Sequence, residues 1–486
     1  MSRHIYIMGI AMSEVTGGVG RAMRNQAEMF LAAGHKVSMI TFSHYDTRET
    51  IENVYSSGDL PRSVEVLNPN VDMVAAWAEA EKRNAGLGSP TPKLSLLLGL
   101  KKLWNTQKSK APGESASGSS NATHVVKQKL PHGGEETTVL TEGGNTYLVR
   151  RPYGDSGTEA PVQVFHPDGQ VSEYPSVTNW RIEWLESVFS NATGNDAIVV
   201  NYPTEVPLLA RANVGPARKL WVIHNNVWDP PYCPGSEIRS NYRWALKAHK
   251  KIDVIVTLTD QQEDDIKTLL GRDGGITTVN NITALPPLPS VDKDVNLVSL
   301  VGRLVEQKAV HESIEAFALI APRFPQARFE IYGRGSCESD LKKLVKQRDL
   351  ERQITFKGFT TNPRDVMARS VCTVSSSLYE GQPLNILESN AMATPVAAYD
   401  CRYGPSGLIE DGVTGRIVPQ GDRQALANAI ADMLGNPTGA AQMGTEARHR
   451  IEQHNTAKAV TADWEKAFSL ADHLHQPQEI HNGGTP

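Results

Sequence analysis

Cysteine is scarce in this chain. Its 486 residues hold four, Cys233, Cys337, Cys372 and Cys401, widely spaced and with no C-x-x-C pair. That argues against a disulfide framework and a cysteine zinc site. Cys372 lies inside the apolar run VCTVS and reads as a core thiol. Positive charge is not in excess either: 49 Lys and Arg against 54 Asp and Glu leave a net charge of −5. Bulk binding of nucleic acid through a basic face is disfavoured, although a local basic groove is not. No apolar run approaches the ~18 residues of a membrane span. The N-terminal MSRHIYIMGIAMS lacks the long apolar core and small-residue cleavage site of a signal peptide. The expectation is a cytoplasmic protein without a transmembrane segment. The first glycine-rich turn also lacks G-x-G-x-x-G spacing, and no acidic residue closes the strand after it, which disfavours a nicotinamide cofactor.

The length exceeds what one core supports, so two or more domains are expected. HIYIMGIA is an apolar run of strand length. It is followed by the turn EVTGGVGRA, the helical pattern RAMRNQAEMFLAAG and the strand HKVSMITF. Strand, glycine-rich loop, helix and strand in that order open a Rossmann-like domain. Gly17, Gly18 and Gly20 let the backbone approach a ligand and present N–H groups at the helix start. The character changes near residue 76. A Gly/Ser-rich connector, APGESASGSSN, precedes five short alternating segments separated by HGG, EGG, DSG and PDG turns, which predict an inserted antiparallel meander. The α/β pattern resumes at Trp180. The proline-rich LPPLPSVD then leads into a second run of strands and helices.

The expected organisation is an N-terminal Rossmann-like domain (1–75 and 180–287) with a β-rich insertion (76–179). A C-terminal Rossmann-like domain (288–436), one long helix crossing back towards the first domain (437–473) and a disordered tail (474–486) complete it. The fold class is α/β, with two such domains facing a cleft.

The chemistry centres on VCTVSSSLYEGQPLNILESNAMATPVAAYD. A strand leads into a polar loop carrying Glu380, then into a helix carrying Glu388. Pro383 stands where a helix starts, beside Leu384 and Asn385. Taken alone, two glutamates there read more readily as a solvated loop and helix than as a site. The turn GRLVEQK places Arg303 and Lys308 after another strand, as a clamp for a diphosphate. Carboxylates accept hydroxyl hydrogens, as from a ribose or sugar ring. His224 ends a strand in WVIHNN, on the ligand edge of the first sheet. Lys127, Lys129, Arg150 and Arg151 in the meander are a local basic face or the charged edges of ordinary strands.

Together these motifs resemble the family 4 retaining glycosyltransferases of the GT-B fold. The family's E-x(7)-E motif stands as Glu380-GQPLNIL-Glu388, its Arg/Lys pair as Arg303 and Lys308, and its glycine loop as Gly17-Gly18-Val19-Gly20. The insertion, HNN and YDCRYGPSGLIEDGVTG are similar to the subgroup of wall teichoic acid and poly(glycerol-phosphate) α-glycosyltransferases and adhesin O-GlcNAc-transferases. The resemblance implies a retaining, UDP-sugar-dependent hexosyltransferase of bacterial cell-wall biosynthesis. Its acceptor is a polyol-phosphate polymer such as teichoic acid or, alternatively, a Ser/Thr-rich polypeptide. By matching position, Arg303 and Lys308 hold the diphosphate, Glu388 the ribose, and Glu380 and His224 the transferred sugar. Gly17, Gly18, Pro383, Leu384 and Asn385 line the donor. The meander cations Lys127, Lys129, Arg150 and Arg151 serve the acceptor. No metal or other cofactor is expected, and no D-x-D motif stands near the donor candidates. Oligomerisation through the insertion and peripheral contact with the inner face of the membrane are further expectations.

Overall fold

Runs of aliphatic and β-branched residues flanked by turns become buried parallel strands when helices cover both sheet faces. The computed structural model of the chain describes residues 2–9, 11, 18–43, 46, 48–84, 124–129, 135–140, 146–150 and 161–475. Its first sheet has the order Ile276–Thr278, Val254–Thr257, Arg218–Val222, Asp196–Val200, His4–Met8, Lys36–Ile40 and Glu65–Leu67. All its pairings are parallel. The second has the order Ile354–Gly358, Arg328–Tyr332, Asp294–Val301, Ser370–Ser375, Val396–Asp400 and Gly415–Pro419, again all parallel. In chain order within each domain, both follow the doubly wound 3-2-1-4-5-6 arrangement, and the first adds a seventh strand. Such sheets bind ligands at the carboxyl ends of the strands where the order reverses. In the second domain that point lies between Asp294–Val301 and Ser370–Ser375. The turn carrying Arg303 and Lys308 follows the first of these strands, and the loop carrying Glu380 follows the second.

The third sheet is the expected antiparallel meander. It runs His124–Lys129, Glu135–Leu140, Thr146–Arg150, Val162–Phe165 and Val171–Tyr174, each strand beside the next. Val139, Leu148, Val162 and Val164 point to one side and bury Trp180, at the start of the next helix. The side chains of Lys127, Lys129 and Arg150, all of Arg151, the connector, Gly17 and residues 476–486 lie outside the described residues.

The C-terminal pattern differs from expectation in one respect. Two helices stand where one was predicted, Pro437–His454 and Ala457–Leu474. Thr456 breaks the run because its extended backbone lets its hydroxyl accept from the Ala459 N–H at 3.3 Å, the geometry of an N-cap. The last helix then crosses to the first domain. Val460, Trp464 and Phe468 pack with Ile5, Phe30 and Val37 in one apolar cluster. Phe30 meets Trp464 edge-on at 5.2 Å between ring centres. Among the described residues no helix is long and apolar enough to cross a membrane.

Candidate active site

The turn after Asp294–Val301 and the loop after Ser370–Ser375 are tied together before either side chain is placed. The Leu378 N–H donates to the Gln307 carbonyl at 2.8 Å. The Ser376 hydroxyl reaches the Ala309 carbonyl at 2.9 Å. Gly333 supports the turn from beneath: its φ is +141°, and a Cβ there would overlap the Gly302 carbonyl oxygen. On this scaffold Lys308 Nζ donates to Glu380 Oε1 at 2.5 Å. Gln307 Nε2 donates to the Tyr379 carbonyl at 3.0 Å and to Glu380 Oε2 at 3.4 Å. Arg303 is held less tightly, Nη2 donating to Gln307 Oε1 at 3.2 Å. The Glu380 backbone is pinned on both sides, its N–H by the Arg402 carbonyl and its C=O by the Tyr403 N–H, each at 3.0 Å. The expected pair of phosphate cations is therefore a network in which Lys308 already neutralises Glu380.

Pro383 caps the Leu384–Ala391 helix, whose first turn opens towards this network. Free N–H groups and the positive end of the helix dipole favour an anion there. Asn385 Oδ1, in that turn, is buried with no hydrogen-bond partner among the described residues. One turn on, Glu388 is largely buried, and burial raises its carboxyl above the usual range. Arg21, Arg364, Arg24 and Lys308 oppose that rise. Arg21 belongs to the first domain, on the Gly18–Ala32 helix behind the glycine loop, and its Nη1 donates to Glu388 Oε1 at 2.6 Å across the cleft.

Removing Arg21 has a signed consequence. A nearby cation favours the carboxylate, so Arg21→Gln should raise the Glu388 pKa further. A protonated Glu388 is a poorer acceptor for a hydroxyl hydrogen. On the ribose-binding role that the family resemblance implies for Glu388, affinity of the variant for UDP is expected to fall on acidification at a higher pH than that of the wild type. Calorimetric titration with UDP from pH 5 to pH 8 checks this, and superimposable pH profiles would refute it.

The first domain closes the site from above. His224 follows the Arg218–Val222 strand, with Nε2 2.7 Å from Asn201 Oδ1. Burial lowers its imidazole to about 4, so it is neutral near pH 7. Gly381 lies directly beneath it, where a Cβ would overlap the His224 carbonyl oxygen. Gln382 crosses the same gap. Its Nε2 donates to the Leu258 carbonyl at 3.0 Å and to Asn280 Oδ1 at 2.6 Å, and its Oε1 accepts from the Asn281 N–H at 2.7 Å. Alongside, Arg402 chelates Asp265 at 2.7 and 2.9 Å, and the Tyr403 hydroxyl donates to the same carboxylate at 2.6 Å.

The structure thus gathers Arg303, Lys308, Glu380, Pro383, Leu384, Asn385 and Glu388 at one sheet edge, with His224 opposite. Gly18 begins the Gly18–Ala32 helix and is exposed, with open space where a Cβ would be. Sequence reasoning missed Arg21, Gln382 and the Asp265–Arg402–Tyr403 cluster. Arg21 directly follows the glycine loop, the one hint available for it. Among the described residues no group of three or more His, Cys, Asp or Glu is placed to hold a metal ion.

Comparison with known proteins places this geometry. Residues 285–450 match the family described as glycosyl transferases group 1. The chain is 27% identical over 329 residues to the poly(ribitol-phosphate) alpha-N-acetylglucosaminyltransferase of Staphylococcus aureus (strain COL), covering 68% of this chain and 65% of that protein. It is 25% identical over 252 residues to the poly(glycerol-phosphate) alpha-glucosyltransferase of Bacillus subtilis (strain 168), covering 51% of this chain and 34% of that protein. The matches span less than two thirds of either relative's length. The fold is similar to that of S. aureus TarM in complex with fondaparinux, alpha-GlcNAc-glycerol and UDP. There the TM-score is 0.79 at 20% identity, with 96% of this chain and 99% of that chain covered. It is also similar to the pneumococcal O-GlcNAc transferase GtfA in complex with UDP and GlcNAc, with a TM-score of 0.66 at 15% identity, covering 97% of this chain and 99% of that chain.

Proposed function

We propose that this chain, a GT-B protein whose residues 285–450 form a group 1 glycosyltransferase domain, moves a hexosyl group, glucose or N-acetylglucosamine, from a UDP-sugar to a hydroxyl of a polyol-phosphate polymer. One observation carries the reading. The Lys308–Glu380 network, Arg303, the open helix turn at Leu384 and the buried Glu388 share one sheet edge, faced across a cleft by His224 and Arg21. In this reading Glu388 accepts the ribose hydroxyls. Arg303, Lys308 and the helix N-terminus hold the diphosphate, and Glu380 and His224 flank the sugar. The C1–O bond to the β-phosphate breaks as the acceptor oxygen bonds C1 on the same face, and the acceptor proton leaves with UDP. The fixed cations and the helix dipole stabilise the leaving diphosphate without a metal ion. The names of the S. aureus and B. subtilis relatives support the polymer as acceptor.

The meander is read as a site of self-association, since its outer strand His124–Lys129 is paired on one side only among the described residues. In the same reading the enzyme works peripherally at the inner face of the membrane.

A second reading, transfer to a Ser/Thr-rich polypeptide, draws support from the GtfA likeness. UDP release measured with UDP-glucose and UDP-N-acetylglucosamine, each with poly(glycerol phosphate), poly(ribitol phosphate) or a Ser-rich peptide, separates the two. Polymer-dependent release is the expected result, and release stimulated only by peptide would replace the first reading with the second.

A further inference from the structure

The loop that carries Glu380 also carries Tyr379, and Tyr379 is half of an aromatic pair spanning the two domains. Its ring centre lies 4.3 Å from that of Tyr232 in the first domain. The guanidinium of Arg239 lies over the Tyr379 ring at 4.7 Å. Arg239 is also the residue at which the Ser240–Lys247 helix begins. That helix buries Tyr242, Ala245 and Leu246 and turns Arg243, Trp244 and Lys247 outward. Trp244 is 69% exposed. Lys247 Nζ lies over its indole at 4.7 Å.

Arg243 and Lys247 are four residues apart on the helix and so stand about 6 Å apart on one face, and Arg239, at the non-helical N-cap four residues earlier, extends that row towards Tyr379. One extended three-carbon phosphodiester repeat is of the same order. Rings supply faces for the C–H bonds of a polyol, and cations supply partners for its phosphates. The row is not fully unopposed. Arg243 Nη2 is 3.5 Å from the carboxylate of the exposed Glu237, and its Nε donates to the Ile238 carbonyl at 2.9 Å. Arg239 Nη1 donates to the Asn226 carbonyl at 3.3 Å. These contacts orient the guanidinium groups and leave the outward face of the row cationic.

We infer that Tyr232, Tyr379, Arg239, Arg243, Trp244 and Lys247 form an acceptor track that leads a polyol-phosphate chain along the first domain to the hydroxyl positioned beside Glu380. This rests on the function proposed above and assigns its polymer subsite to the rim of the cleft rather than to the meander. A membrane surface is the competing occupant of a basic, tryptophan-bearing helix. The row's inner end, on Tyr379 beside Glu380, favours a linear chain over a plane.

The test compares the wild type with Arg243→Glu/Lys247→Glu and with Trp244→Ala. The acceptors are poly(glycerol phosphate) and monomeric glycerol 3-phosphate, with UDP affinity and binding to phosphatidylglycerol vesicles measured in parallel. The double variant should raise KM for the polymer about tenfold or more. It should also lower the slope of log KM against log salt by about two, one for each lost phosphate partner. Trp244→Ala should raise the same KM severalfold without changing that slope. UDP affinity should stay within twofold of the wild type. An unchanged polymer KM overturns the track, and an unchanged KM with lost vesicle binding gives this surface to the membrane instead. If the wild type itself ignores both polymer and glycerol 3-phosphate while glycosylating peptide, the proposed function falls, and that outcome is visible before any variant is made.

Discussion

Replacing Lys308 with alanine is expected to lower kcat and kcat/KM together by about 10²- to 10³-fold, the loss seen when a preorganised donor to developing charge is removed. Among the described residues Lys308 is the one cation bonded to Glu380, in the network proposed above to face the leaving diphosphate. Its position is fixed by the backbone ties of its turn to the 376–380 loop, so a mobile cation from solvent cannot replace it. The substitution has a second effect. It leaves Glu380, which is 7% exposed, with Gln307 alone against one of its oxygens. An uncompensated buried charge is destabilising. Lys308→Ala/Glu380→Gln separates the two effects, because it removes the orphaned charge and should recover most of the lost melting temperature. The rate should stay low. A Lys308→Ala variant turning over within threefold of the wild type would remove this residue from the chemistry.

Gly381→Ala is expected to cost transfer about 10²-fold while leaving nucleotide binding nearly intact. The added methyl would overlap the His224 carbonyl oxygen, a backbone atom held in the first domain. Because neither sheet core lies at this contact, the domains separate slightly and each keeps its fold. The nucleotide contacts proposed for Arg303, Lys308 and the Leu384 turn all lie in the second domain and survive. His224 moves away from the sugar position proposed above, and displacements near 1 Å at a reacting centre suffice for losses of this order. Single-turnover transfer measured beside UDP calorimetry checks the split. Equal losses in both, or in neither, would show that the close approach of the two domains does not govern the reaction.

Much of the second domain was legible in the sequence because its signals are local. A strand, a glycine turn and a helix follow one another within about thirty residues, and the ligand edge follows from that order. Glu380, Glu388, Arg303 and Lys308 could be placed on one edge for this reason. What was not legible depends on how the two sheets face each other. Arg21 and Glu388 are 367 positions apart, and nothing in either local pattern announces their contact. The same holds for Gln382 against Asn281 and for Asp265 against Arg402. The single long helix expected near the C-terminus failed at Thr456 for the opposite reason. A local cap outweighed a continuous helical pattern, and the chain used the break to change direction.

The last helix, Ala457–Leu474, packs its Val460, Trp464 and Phe468 into the core built on Ile5, Phe30 and Val37. During synthesis the first domain emerges long before that helix does. Its Phe30 face must therefore wait, uncovered, while the whole second domain is made. The domain begun first is finished last, so a ribosome stalled within the second half of the message would display an unsealed apolar face. Chaperone occupancy on nascent chains should peak over this interval and fall once the Ala457–Leu474 segment has cleared the exit tunnel.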